Sequence, residues 1–221
     1  MKFTHAAAAL ALSGALLGLS ASPAGAKELT VAVASTFTTM DPFDASDTLS
    51  ISCAKAMYEG LFGFDKDMKL RPVLAEGYDV SRDGLVYTIR LKKGVMFHDG
   101  TEFKADAVKA TFDRVTDKAN GLRRYTLYNN IAKTEIVDDY TAKITLHEPF
   151  SAFINQLAHP SGGMICPSAI AKYPGKQLAF HPCGTGPFKI AEYNPSEILH
   201  VVKNPDYRIK GLPKVDGIVF K

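Results

Sequence analysis

No C-x-x-C or H-x3-H spacing occurs anywhere in the chain, so the ligand patterns of zinc sites are missing. There is no G-x-S-x-G elbow, and Cys53 lacks the local context of a thiol protease. Gly184-Thr185-Gly186 is not followed by the Lys-Ser/Thr helix of a phosphate loop, and it reads as a tight turn that needs glycine. With a net charge of +3 and acids interspersed among the bases, no dense Lys/Arg face suggests a nucleic-acid partner. Past the first residues, no segment is long and apolar enough to span a bilayer. No repeat or low-complexity tract is present outside that first segment. These absences argue against a zinc protein, a hydrolase of these classes, a phosphate-loop protein, a nucleic-acid binder and a later membrane span.

The first 26 residues read as a secretory signal. Lys2 gives a small positive start, Ala6–Leu19 an apolar run, and Ala24 and Ala26 put small side chains at −3 and −1 of a cut. The run falls short of the ~20 residues of a spanning helix and is mostly alanine. No cysteine near the cut could take a lipid. A mature chain of 195 residues (221 − 26) allows one large domain or two small ones. Export implies an oxidising compartment, where Cys53, Cys166 and Cys183 form an odd set. Cys166-Pro167 and Pro182-Cys183 bracket a loop-like segment, so a disulfide between Cys166 and Cys183 is expected; the alternative is three free thiols in a core. Cys53 reads as a buried thiol in the run Ile51–Met57.

Alternation and helical spacing lay out the rest. Leu29–Ala34 predicts a strand buried on both faces, and Ser46 or Asp47 caps a helix running to about Gly60. Leu61–Phe64 predicts a short strand. Leu74–Val80 and Val86–Leu91 read as a hairpin around Asp83-Gly84. Lys104–Val115 is amphipathic, with Ala107, Val108, Thr111, Phe112 and Val115 near one side and Lys109, Asp113 and Arg114 opposite. Ile131–Val137 and Ala142–Leu146 flank the Asp138-Asp139 turn. A short helix covers Ser151–Leu157, and Phe188–Tyr193 with Leu199–Lys203 forms a last hairpin. Val215–Phe220 is one more apolar strand, either terminal in a sheet or leading onward.

The run from Leu74 through Ser81-Arg82-Asp83-Gly84 to Phe97-His98-Asp99-Gly100 resembles the signature of the extracellular solute-binding proteins of family 5, the peptide- and nickel-binding components of ABC importers. Met40-Asp41-Pro42, Tyr58-Glu59-Gly60-Leu61, Phe103–Val108 and Gly184–Phe188 match in the same order, so the likeness covers nearly all of the mature chain. Phe37–Pro42, Arg124–Glu135 and Pro149–Asn155 are most similar to the glutathione-binding branch. The resemblance implies an α/β fold, the first lobe of a type II periplasmic binding protein, with a mixed sheet and an inserted β-rich subdomain. It divides the chain into a signal (1–26), a first-lobe α/β subdomain (27–64 plus 182–221) and the insertion (65–181). On this division the second lobe of the family is expected to be missing from the chain.

The role implied is capture of glutathione or a short peptide in the periplasm by a monomer that delivers it to membrane permease subunits. Two alternatives stay open: a nickel or metal-complex binder, invited by six scattered histidines, and a truncated remnant that binds nothing strongly. Site residues follow from matched positions. Ser46, Asp47 and Thr48 precede the first helix, where relatives face ligand; the competing role is a helix cap. Arg124 and Tyr125 match a basic–aromatic pair, since arginine grips a carboxylate through two N–H bonds and tyrosine offers a stacking face. The competing role there is a solvated face with one aromatic in the core. His159 and Ser161 match a pocket-lining turn, against a structural histidine beside Pro160.

Overall fold

The computed structural model describes residues 27–221; the expected signal, residues 1–26, lies outside the described residues. From the N-terminus the elements are β1 (Glu28–Val31), α1 (Thr48–Ala54), β2 (Phe62–Phe64), β3 (Leu70–Pro72), β4 (Ala75–Val80), β5 (Val86–Leu91) and α2 (Ala105–Thr116). There follow α3 (Tyr125–Tyr128), β6 (Ile131–Asp138), β7 (Thr141–Leu146), α4 (Phe153–Leu157), α5 (Pro167–Lys172), β8 (Phe188–Asn194), β9 (Ile198–Lys203) and β10 (Gly217–Phe220). Two 3-10 turns, Lys118–Asn120 and Gly175–Phe180, complete the path.

Three sheets organise these elements. One has the order β1-β10-β9-β8, with β1 parallel to β10 and the other pairs antiparallel. A second, antiparallel throughout, has the order β4-β5-β7-β6, and β2 pairs with β3 in a small third sheet. In β5 and β7 alternate side chains are buried (Tyr87, Ile89 and Leu91; Ala142, Ile144 and Leu146), because a pleated strand turns every second residue inward. α2 packs the face of Ala107, Val108, Thr111, Phe112 and Val115 over β6 and β7, and it also contacts α5.

Three features depart from the sequence reading. β1 is an edge strand with Glu28, Leu29 and Thr30 exposed, so its β-branched run reflects strand propensity rather than burial on two faces. α1 stops at Ala54, six residues short of Gly60. Beyond it the backbone pairs elsewhere: Phe188 N donates to Ala56 O at 3.0 Å, Gly186 N to Met57 O at 2.9 Å, and Gly60 bridges to Gly163. Arg114, expected on the solvated side of its helix, is 6% exposed and bonded to Asp41, which is fully buried. Helical periodicity cannot register a partner 73 residues away.

Gly184 and Gly186 are required by closeness rather than by backbone angle. A Cβ would lie 2.3 Å from Met57 O at Gly184 and 2.5 Å from Met57 C at Gly186. The same segment is held by a disulfide between Cys166 and Cys183, whose Cα atoms are 5.5 Å apart, while Cys53 is a buried free thiol. The bridge closes a loop over a separation of 17 residues. Reduction is therefore expected to lower stability by about 3 kcal/mol through loop entropy returned to the unfolded chain. Urea unfolding with and without reductant checks this, and coincident curves would contradict it.

Candidate functional site

Asp47 is the N-cap of α1. Its backbone is extended (φ −93°, ψ 151°), and its carboxylate accepts from Ser50 N at 2.8 Å and from the Thr38 hydroxyl. Burial works against its charge, but the hydrogen bonds from Ser50 and Thr38 outweigh it and keep the carboxyl below the usual range. Both oxygens are thus engaged in holding the loop. Ser46 Oγ accepts from Arg123 Nη1 at 3.1 Å, and Thr48 is exposed. Asp47 and Thr48 border an open groove of about 540 Å³ whose other wall is Val31–Ser35.

α3 is laced to that loop. Arg124 N donates to Phe43 O and Arg124 Nε to Ala45 O, each at 3.0 Å. The guanidinium is therefore aimed by backbone acceptors, and neither Nη has a hydrogen-bond partner among the described residues. Tyr125 is half-buried. Tyr128, one turn on, is fully buried with its ring edge-on to Phe43 at 5.3 Å, and its hydroxyl has no partner.

His159 lies just beyond α4 in a turn closed by Gly162 N donating to His159 O at 2.8 Å. Its Nδ1 accepts from Ser161 N at 3.1 Å. Burial first, then the charges of Arg124 and Lys55, lower its proton affinity, so the ring is neutral at neutral pH. Ser161 is buried and its Oγ has no partner. The fold thus ties Ala45 and Ser46 to the start of α3 through Arg124 and Arg123, and the charge of Arg124 acts on His159. Tyr125 has no hydrogen bond from its side chain to this group.

Sequence reasoning passed over Lys55. It is the one charged side chain in Ile51–Met57, and that interruption of an apolar run was its only signal. A separate open groove of about 530 Å³ runs beside α3 and α4, lined by Leu127, Asn129, Phe150, Asn155 and Gln156 among others.

Burial, and secondarily the charge of Asp47, push the Cys53 thiol up to about 11, so no thiolate forms at neutral pH. Asp99 lies close to Cys166 and Cys183, but sulfurs joined to each other offer no thiolate to a metal.

A family model described as bacterial extracellular solute-binding proteins, family 5, middle, matches residues 69–221. The chain is 54% identical over 217 residues to the glutathione-binding protein GsiB of Escherichia coli O1:K1 / APEC, covering 98% of this chain and 42% of that protein. It thus spans about two fifths of the length of the curated relatives it matches. Among solved structures it resembles NikZ from Campylobacter jejuni in complex with Ni(L-His), with a TM-score of 0.79 at 28% identity, over 88% of this chain and 38% of that one. It also resembles the periplasmic binding protein DppA from Helicobacter pylori in complex with the peptide STSA, with a TM-score of 0.78 at 30% identity, over 88% and 42% of the two chains.

Proposed function

Because the chain belongs to the bacterial extracellular solute-binding proteins of family 5, with the α/β fold of type II periplasmic binding proteins, we propose that it captures glutathione or a similar short peptide for an ABC importer. It acts in the periplasm as a monomer, hands the solute to membrane permease subunits, and alters no bond. In this reading residues 1–26 are the export signal, 27–64 with 182–221 form one subdomain, and 65–181 form the inserted one.

The observation that carries the reading is the Arg124 guanidinium, fixed through Nε and open at both Nη atoms. Such a group matches a carboxylate in geometry and charge, and every peptide carries one. Asp47 orders the loop beside it, while Ser46, Thr48, Tyr125, His159 and Ser161 supply the surrounding wall. A metal-complex ligand is the second reading, favoured by the likeness to NikZ. The 54% identity to a glutathione-binding relative, against 28% to NikZ, supports the peptide.

Calorimetry with glutathione, dipeptides and nickel separates these readings, with glutathione expected to bind most tightly. Arg124→Ala should weaken the anionic ligand by about 1.5–3 kcal/mol, the worth of a charge-assisted hydrogen bond. Unchanged affinity would remove Arg124 from the site.

A further inference from the structure

We propose that the cleft between the β2–β3 hairpin and the start of β4 is a second ligand site, which holds a free α-amino acid with an apolar side chain between Arg71 and Glu76. It shares no residue with the Arg124 face and goes beyond the reading given above.

The cleft has a volume of about 310 Å³, at the small end of the ~300–1,000 Å³ usual for small-molecule sites. Its apolar lining is Phe62, Leu70, Pro72 and Tyr78. The Phe62 ring is buried, and the Tyr78 ring meets it edge-on at 5.5 Å while staying 38% exposed. The two rings thus form a fixed corner with one open face, against which an apolar side chain can pack.

Two features of the backbone leave opposite charges free on the same cleft. Across the β2–β3 pair Arg71 stands opposite Gly63, which offers no side chain to cover or pair it. Along β4, Ala75 faces Leu91 and Gly77 faces Arg90, so Glu76 is the extra residue of a β-bulge and has no cross-strand mate. A bulge re-aims the side chain it carries. Arg71 and Glu76 both line the cleft and are exposed, and neither side chain has a hydrogen bond or ion pair among the described residues. The other charges nearby are engaged. Arg90 Nη1 is bonded to Asp79, and its Nη2 lies over Gly77, where a Cβ would be 3.1 Å away. Lys92 donates Nζ to Val73 O at 2.6 Å. A guanidinium and a carboxylate that share a cleft without joining are the complement of a zwitterion. The ligand carboxylate takes the fork of Arg71, the ammonium takes Glu76, and the side chain lies on the Phe62–Tyr78 corner.

The test is NMR of the whole protein at neutral pH, following the amide signals of Gly63 and Gly77 during titration with L-phenylalanine. Phenethylamine, which lacks the carboxylate, and phenylacetate, which lacks the ammonium, are titrated in parallel at matched ionic strength. L-Phenylalanine is expected to shift both signals saturably, and each analogue should need at least about tenfold more for half-saturation, the loss of one charged contact. Arg71→Gln should weaken L-phenylalanine by a similar factor and leave phenethylamine unchanged. Glu76→Gln should weaken L-phenylalanine and leave phenylacetate unchanged. Both substitutions are of exposed residues, and unmoved signals elsewhere verify the fold. Equal response to the three compounds, or wild-type titration by both variants, overturns the site. Saturable shifts confined to Ser46 and Arg124 would place the amino acid on the other face and overturn it as well.

Discussion

Replacing Arg114 with leucine is expected to destabilise the protein by about 3–5 kcal/mol, because it strands a buried carboxylate. Asp41 is fully buried, and its Oδ1 accepts from Phe43 N at 2.9 Å and from Arg114 Nη1 at 3.3 Å. Its Oδ2 takes Arg114 Nη2, which also donates to Gly175 O at 2.8 Å. One guanidinium thus joins the loop before α1, helix α2 and the 3-10 turn at Gly175–Phe180. Without it, Asp41 must either stay charged in an apolar surround or take up a proton; both are costly. Asp41→Asn combined with Arg114→Leu should recover part of the loss, since the unpaired charge is gone. Urea midpoints of the single and double variants measure this. A loss below about 1 kcal/mol in Arg114→Leu would mean that solvent reaches the pair.

The second large effect is a fall in stability as pH drops from about 6.5 to about 4, traceable to His98. Its Nδ1 accepts from Gly184 N at 3.3 Å, and its Nε2 donates to Gly186 O at 3.1 Å. The ring thus clamps the glycine turn next to the disulfide in its neutral form. Burial lowers its pKa to about 4, outweighing the Gly186 hydrogen bond and the charges of Asp99 and Glu59, which favour the proton. Above about 6.5 the ring is neutral in folded and unfolded chains alike, and its contribution is complete. Between 6.5 and 4 only the unfolded chain takes the proton, so stability falls with pH by about 3 kcal/mol in total. Below 4 the folded ring titrates as well and the loss levels off. Carboxyls such as Asp47 and Asp99, whose pKa values are lowered, lose their share in a more acidic window, so the two contributions separate on the pH axis. His98→Gln should flatten the segment from 6.5 to 4. Parallel curves for variant and wild type would refute the assignment.

The strands that alternate were legible from residues alone. Val86–Leu91 and Leu199–Lys203 carry a period of two that a half-buried pleat imposes, and the structure has β5 over Val86–Leu91 and β9 over Ile198–Lys203. The amphipathic helix was legible for the same reason: its apolar spacing is local. α3 was not foreseen, because four residues are too few to show a period, and Arg124 was singled out by resemblance rather than by pattern.

By itself, the sequence determined whatever depends on near neighbours: the alternating strands, the amphipathic helix, a cap at Ser46 or Asp47, and the family signature. Only the tertiary structure decided where α1 ends and which way Arg114 faces. Each of those outcomes is set by a contact between segments far apart in the chain, such as Asp41 with Arg114 or Gly60 with Gly163. Such a contact fixes burial, charge and hydrogen bonding at both ends, while neither end alone carries a local mark of it.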